Sequence, residues 1–374
     1  MSNKKIKVLV YPIADNPYQQ LLYDHFPIND TVKLKMLNGS TGILGPLVHL
    51  PVIIAKLVFY RAKGYKVLHL HWLYTLEFPG YRLAPRISNA ISTLQVLAFL
   101  VAVKFLGFKL GWTVHDLLPH DKRTFGEVKI AQRLVNQASS LILLSTATME
   151  EMNSLGITYD KRKISIIPMG NYDQVYPNVI SQQAARVALG IPKTSFVFVF
   201  FGRVEPYKNI LGLIEAFHAI SDQFPDAYLI IAGKVNNMVI QKQIETAVVA
   251  QKGKVIVNLN FIPDDEVQLY YNAADIGVFP FSEITNSSST ILTASFGKPI
   301  IAPRIGAIKD VPSSAGIFYD PKKAQGLELS MEKALNQSES MRDLGISASD
   351  YAKTLSWDKI AEQTYKVYKD VLSK

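Results

Sequence analysis

Residues 196–217 read FVFVFFGRVEPYKNILGLIEAF, and no other stretch limits the possible folds as sharply. An apolar Phe/Val run with no polar alternation has no solvated face, which predicts a parallel strand buried on both sides. The run breaks at Gly202 into a charged loop before an amphipathic helix begins. In open α/β sheets, ligands sit where strands exit, so Arg203 and Lys208 project where a phosphate would lie and Gly202 lets the backbone come close. The same residues also suit an ordinary strand-to-helix turn with two solvated cations.

Strand and helix alternate on both sides of this stretch. The strand candidates before it include KKIKVLVY, TVKLKML, KVLHLHW, FKLGWTVHD, SLILLS and ISIIP; those after it are AYLIIAG, KVIVNL, DIGVFPF, PIIAP and GIFYD. Parallel-type strands demand helices on both sheet faces, and 374 residues exceed one compact core, so two doubly wound α/β domains are expected. The polar, aperiodic MGNYDQVYPNVISQQ is read as the linker. That places one Rossmann-like domain at 1–175, a second at 176–350, and a helical tail at 351–374 that folds back on the first domain. In the tail, Trp357, Ile360, Ala361, Thr364, Val367, Tyr368 and Val371 share one face.

The chain has no cysteine, which excludes disulfides, thiolate metal sites and cysteine nucleophiles and is compatible with a reducing compartment. Its net charge of +9 favours an acidic partner. A basic stripe interleaved with stacking aromatics is lacking, so nucleic acid is not expected. Anionic lipid is expected instead, because cations flank two apolar segments. GILGPLVHLPVIIAKLVFYRAKG ends in Arg61 and Lys63 with Lys66 just beyond, and the 17 uncharged residues from Ile87 to Val103 lie between Arg86 and Lys104. Neither is read as a membrane span, being short or diluted with polar residues; both suit a helix lying in the membrane interface, or one packed on a sheet.

A second anion signal is FPFSEITNSSSTILTASFGKPIIAP, where a helix starting near Ser288 would aim free N–H groups at phosphate oxygens. Asn286, Ser287, Ser288, Ser289 and Thr290 are small enough to let a ligand approach, although the cluster is equally an N-capping one. A doubly wound strand order would bring this helix start and the Arg203/Lys208 pair over one diphosphate, with Ile262 beside a nucleobase through its main chain. In the other half, His115 and Asp116 stand at the exit of TVHD, and either is suited to take a proton from an acceptor hydroxyl. His71 at another strand exit is placed for sugar contact, and Trp72 offers a stacking face. Histidines 69, 71, 115 and 120 invite a zinc reading, but a diphosphate held by Arg, Lys and a helix dipole needs no metal.

Laid end to end, GRVEPYKN, LIEAF, LIIAGK, NAADIGVFPFSE and SFGKPIIAP resemble the nucleotide-binding half of GT-B glycosyltransferases. KVLHLHW and TVHD look like their counterparts in bacterial enzymes that build exopolysaccharide or lipid-linked oligosaccharide. The resemblance implies two Rossmann-like domains facing across a cleft, a UDP- or GDP-sugar donor, a lipid-linked or saccharide acceptor, and no tightly bound cofactor or metal. Together with the two cation-flanked apolar segments, it points to a cytoplasmic enzyme peripheral at the inner membrane face. Arg203 and Lys208 match the family's diphosphate-binding pair, and His115 the histidine facing the transferred sugar. Glu283 lies near the first glutamate of the family's Glu-x7-Glu pattern, but Ile291 and Leu292 occupy the place of the second, which usually holds the ribose. The intact pattern is typical of retaining enzymes; an inverting one would need a base, for which Asp116 is the candidate. YPIADNPYQQ replaces the family's glycine-rich first loop, leaving Tyr18 and Gln19 as candidate contacts. A nucleotide-sugar epimerase and a non-catalytic membrane-peripheral protein of the same fold are the alternatives.

Overall fold

The computed structural model describes residues 5–13, 17–26, 32–38, 45–72, 84–118, 124–249 and 253–373. The chain divides into two compact units, residues 1–169 with 357–374, and residues 170–356.

The first unit runs β1 (Ile6–Tyr11), α1 (Pro17–Asp24), β2 (Val32–Met36), α2 (Gly45–Ala62), β3 (Val67–Leu70), α3 (Pro85–Phe105), β4 (Lys109–Val114), α4 (Glu127–Gln137), β5 (Ser140–Leu143), α5 (Ala147–Ser154) and β6 (Ile164–Ile166). All six strands are parallel, in the order β2-β1-β3-β4-β5-β6. The period-2 alternation of strand side chains sorts its core into two layers. Leu9, Tyr11, Leu68, Leu70, Trp112 and Val114 meet Phe99, Leu100 and Leu134 of α3 and α4. Val8, Val10 and Val67 meet Tyr18 and Leu22 of α1 and, from far along the chain, Trp357 and Tyr368.

The second unit holds α6 (Gln182–Ala188), β7 (Phe196–Phe201), α7 (Ile210–Ser221), β8 (Ala227–Ala232), α8 (Met238–Val249), β9 (Val255–Asn258), α9 (Val267–Ala273), β10 (Ile276–Val278), α10 (Ser288–Ser295), β11 (Ile300–Pro303), β12 (Gly316–Tyr319), α11 (Gly326–Asn336) and α12 (Met341–Thr354). Its strands, again parallel, lie in the order β12-β11-β10-β7-β8-β9. The run FVFVFF is buried on both faces, Phe198 and Phe200 toward α7 and Val197 and Val199 toward α9 and α10.

Helix α13 (Trp357–Ser373) completes the first unit. Its buried residues are Trp357, Ile360, Ala361, Thr364, Val367, Tyr368 and Val371, the face expected from the sequence. The tail is two helices rather than one, interrupted at Leu355 and Ser356. Ser356 followed by Asp358 is a helix-start pattern, an N-cap residue with an acid in the first turn, and it wins over the continuous apolar periodicity. Helix α6, which the sequence reading did not anticipate, begins on the last two residues of the polar segment taken as linker. Ser181 caps it by accepting from the Ala184 N–H, and its buried Arg186 pairs with Asp275 at 2.8 Å. The first border between units falls at 169/170, a little before the expected 175/176. Just after it, Asn171 is fixed to the far end of the same unit, its N–H donating to the Leu355 carbonyl and its side-chain amide to Ala352.

Candidate functional site

The chain order in the second sheet explains why two distant loops meet. From β7 the chain proceeds outward through β8 and β9, then returns to β10 on the other flank and continues through β11 and β12. The reversal between β7 and β10 is a topological switch point, where strand exits diverge and leave a crevice at the carboxyl ends. The loop after β7 carries Gly202, Arg203 and Lys208; the loop after β10 leads through residues 280–287 into α10.

The two loops are in contact. The Ser282 N–H donates to the Tyr207 carbonyl at 2.9 Å. A Cβ placed on Gly202 would stand 2.9 Å from Ser289 Oγ, and Gly202 has a φ of +137°. Its neighbour Gly233, at the β8 exit, packs still closer, since a Cβ there would lie 2.2 Å from the Gly202 carbonyl oxygen. Two glycines thus let the β7 exit approach both the α10 start and the β8 exit.

Lys208 is buried, with its ammonium 4.7 Å from the centre of the Phe281 ring and 5.4 Å from that of Tyr207. Burial is the main reason its pKa drops to about 8; Glu205 opposes the shift and Arg203, close enough to repel, adds to it. No hydrogen bond or ion pair holds the ammonium among the described residues. Arg203 itself is exposed. At the other loop, Ser287 caps α10 by accepting from the Thr290 N–H at 3.3 Å. Ser289 and Thr290 are buried and Ser288 is exposed. The capping reading of this cluster is therefore correct for Ser287, which takes the Thr290 N–H and leaves those of Ser288 and Ser289 available to an anion. Tyr172 braces the helix from behind, its N–H donating to Ser295 Oγ at 2.9 Å and its phenol bonding Ser288.

Glu283 is exposed in the loop after β10. Ile291 and Leu292, where the family pattern would have a glutamate, are buried at 8% and 7% exposure, so α10 packs there rather than presenting an acid. Ile262 also sends its side chain inward, into the layer with Tyr270 and Leu292, which leaves its main chain as the part a base could meet.

The first unit has its own switch point, between β1 and β3, and His71 and Trp72 stand at the β3 exit. His115 lies at the neighbouring β4 exit, stacked on Trp72 with ring centroids 4.2 Å apart. His71 Nδ1 and His115 Nε2 are 3.0 Å apart and hydrogen-bonded. Both imidazoles are buried, and desolvation holds them neutral, His115 down to about 3 despite the favourable charge of Asp116, and His71 well below its ordinary value. Asp116 is half-buried at the head of the loop that follows. His120 and Asp121 lie outside the described residues.

Tyr18 and Gln19 turn inward. Tyr18 meets His115 edge-on at 4.8 Å and Trp357 at 5.4 Å, while Gln19 donates its amide to the Pro12 carbonyl at 2.7 Å. Both hold the β1 exit and the His115 ring in place, and a ligand would feel them through that ring. Sequence reasoning missed the partners beneath. Tyr23, His69, Thr113 and Tyr368 bond one another and His71 in a buried cluster. A signal was present: His69 with His71, and Thr113 with His115, recur at two-residue spacing on adjacent strands and so share one sheet face.

Residues 181–350 match the family model of glycosyl transferases group 1. The chain is 29% identical over 301 residues to D-inositol 3-phosphate glycosyltransferase of Corynebacterium glutamicum (strain R), covering 72% of this chain and 71% of the relative. It is 22% identical over 364 residues to GDP-mannose:glycolipid 4-beta-D-mannosyltransferase of Xanthomonas campestris pv. campestris, covering 96% and 89%. Among solved structures it is similar to sucrose-phosphate synthase from Thermosynechococcus elongatus, with a TM-score of 0.77, 17% identity and 99% and 100% coverage. The Anabaena protein HepE in complex with UDP and glucose gives a TM-score of 0.72, 18% identity and 98% and 99% coverage. With two doubly wound parallel sheets and a switch-point crevice in the second, the chain has the GT-B fold, and its residues 181–350 carry the match to the group 1 glycosyl transferases.

Proposed function

We propose that the chain moves a sugar from a nucleoside diphosphate donor, UDP- or GDP-linked, onto a lipid-linked or saccharide acceptor at a membrane surface, in the synthesis of a cell-surface polysaccharide or glycoconjugate. The observation that carries the donor side is the meeting of the Gly202–Lys208 loop with the capped start of α10 at one switch point. Charge on the leaving diphosphate grows in the transition state. A buried ammonium and unpaired helix N–H groups offset it without reorganising. Arg203 supplies a second cation from the exposed rim.

On the acceptor side His115 is a hydrogen-bonding contact to the transferred sugar rather than a base, because a neutral imidazole held this far below neutrality accepts a proton poorly. An inverting course needs a base at the acceptor hydroxyl, and Asp116 is the carboxylate placed for it; a retaining course needs none. The anomeric configuration of the first-formed product, read by NMR, separates the two.

The membrane reading rests on α3. It has 21 residues, and its most apolar 18-residue window has a mean hydropathy of 1.6, long and apolar enough to cross a bilayer. Yet Val96, Phe99, Leu100 and Val103 pack into the core. The opposite face exposes Ile87, Leu94, Val101 and Phe105, and α2 adds Val58 and Phe59. Arg86, Lys104, Lys63 and Lys66 are exposed near the ends of these helices. One face in the core and an apolar stripe outside, with flanking cations, is the pattern of a helix seated in a membrane interface. A glycolipid in the name of the Xanthomonas relative is in keeping with it.

The test is a screen of nucleoside diphosphates and their sugars by thermal shift, followed by donor turnover, in wild type and Arg203→Ala. Stabilisation by one nucleotide, lost in the variant, together with release of that nucleoside diphosphate, is expected. Return of an isomerised donor would mean an epimerase, binding without release a non-catalytic protein, and no shift by any nucleotide would remove the donor site.

A further inference from the structure

The first unit holds a groove beside its edge strand that donor binding does not use. Its volume of about 620 Å³ lies within the ~300–1,000 Å³ of small-molecule sites. One wall is α2, where Val52, Ala55, Lys56, Phe59 and Tyr60 recur at three- and four-residue steps and so form one stripe. The floor is β2, which pairs with β1 alone. Leu34 turns to the layer of α1 and α13, so strand alternation puts Lys35 and Leu37 on the side of α2. Ile13, whose N–H donates to the Leu37 carbonyl at 3.2 Å, stands at the end where β1 exits.

Charge and continuity together name an occupant. The charged groups lining the groove are the ammonium groups of Lys35 and Lys56, and no carboxylate is among its lining residues. Lys56 is held toward the strand exits by donating to the Asn38 carbonyl at 2.7 Å, and Lys35 has no ion-pair partner among the described residues. At the other end, Phe59 lines the groove and is also half-exposed beside Val58, on the apolar surface proposed to face the membrane. The Lys63 ammonium lies 4.2 Å from the centre of its ring. A helix joining two parallel strands runs back against them, so the groove leads from that apolar surface toward the exits of β1 and β3. From Val52 to Tyr60 it follows α2 for about 12 Å, the reach of a decyl chain.

We infer that this groove seats a lipid-linked acceptor: it buries the hydrocarbon next to the acceptor's phosphate, sets the phosphate oxygens on Lys35 and Lys56, and leaves the sugar to be extended near the β1 and β3 exits. The inference rests on the lipid-linked acceptor of the proposed function. Apolar walls favour the chain by removing it from water, and the two ammonium groups supply charge-assisted hydrogen bonds to the phosphate. Inorganic phosphate would meet the cations without using the walls, and a long-chain alcohol would meet the walls without using the cations.

The experiment titrates the full chain by calorimetry with decyl phosphate below its micelle concentration, and separately with decanol and with inorganic phosphate. Wild type, Ala55→Trp and Lys35→Glu are compared. Ala55 and Lys35 are exposed, so both variants should fold; the tryptophan fills the groove and the glutamate repels the phosphate. Decyl phosphate is expected to bind wild type at least about tenfold more tightly than either fragment, and to lose at least about tenfold in each variant. The Kd for nucleoside diphosphate should not move. No binding of decyl phosphate by wild type overturns the inference, and so does unchanged affinity in Ala55→Trp, which would put the probe elsewhere. Equal affinity for decanol, or none lost in Lys35→Glu, overturns the role of the lysines, and this arm holds even if Ala55→Trp does not fold. With a membrane fraction added, labelled sugar passing from the donor into the lipid extract should fall in both variants; unchanged labelling overturns the acceptor role. Decyl phosphate is neither donor nor vesicle, so a chain that binds it but no nucleotide would fail the proposed function and leave the groove's ligand established.

Discussion

At the residue scale, Lys208 joins stability to binding. A lysine whose pKa is about 8 in the fold and near 10.5 unfolded gives the unfolded chain more protons between those values, so its contribution to stability improves as pH rises through that window. Below it the protein bears the cost of a buried charge with no ion-pair partner among the described residues. Lys208→Met is expected to stabilise the ligand-free protein at pH 7, on the order of 2 kcal/mol, and to weaken nucleoside diphosphate binding at least tenfold by calorimetry. In wild type the same affinity should fall as pH is raised above about 8, where the ammonium loses its proton. Gly202→Ala is the steric counterpart. A methyl 2.9 Å from Ser289 Oγ, on a backbone at φ +137°, forces the two loops apart. It should cost about 1–3 kcal/mol in chemical denaturation and reduce donor affinity. That the loop of Arg203 and Lys208 meets the hydroxyl cluster at the start of α10 was legible in the sequence, because parallel strands place their exit loops at one edge of the sheet. The buried histidine cluster was not, since Tyr368 reaches His69 from 299 residues away and a tyrosine on an amphipathic helix looks like any other core residue.

Among the elements, α13 shows where local pattern suffices and where it does not. Its buried face could be read from three- and four-residue spacing, because burial alone dictates that rhythm. Its break from α12 depended on the local chemistry at Ser356, which the longer periodicity masked. Trp357 is buried against Tyr18, which in turn meets His115. Trp357→Ala is expected to destabilise the first unit by roughly 3–5 kcal/mol, measured by urea denaturation, and to lower transfer more than it lowers nucleotide binding. The strands were the most readable elements, as a parallel strand buried on both faces has little choice but continuous Val, Ile, Leu and Phe. Helix α6 was hidden because it is short and polar and is held by the buried Arg186–Asp275 pair rather than by an apolar stripe.

For the whole molecule, the net charge of +9 acquires a place as well as a size. Leu94→Glu with Phe105→Glu alters only exposed positions, so melting temperature should move little. Cosedimentation with vesicles containing anionic lipid should fall at least tenfold by the burial scale for large apolar side chains, and added salt should weaken what remains. The two-unit architecture was implied by chain length and by the repeated strand-helix alternation, whereas the return of residues 357–374 to the first unit could not be fixed by periodicity, which says that a helix has a buried face but not what covers it. That return has a consequence for biosynthesis. Emerging from the ribosome, the amino-terminal unit must wait with the cavity for Trp357 and Tyr368 unfilled until all of the second unit has been translated. The later-made unit is thus the one able to finish folding first, while the earlier one keeps the side of its sheet bearing Val8, Val10 and Val67 uncovered by α13 until that helix is made.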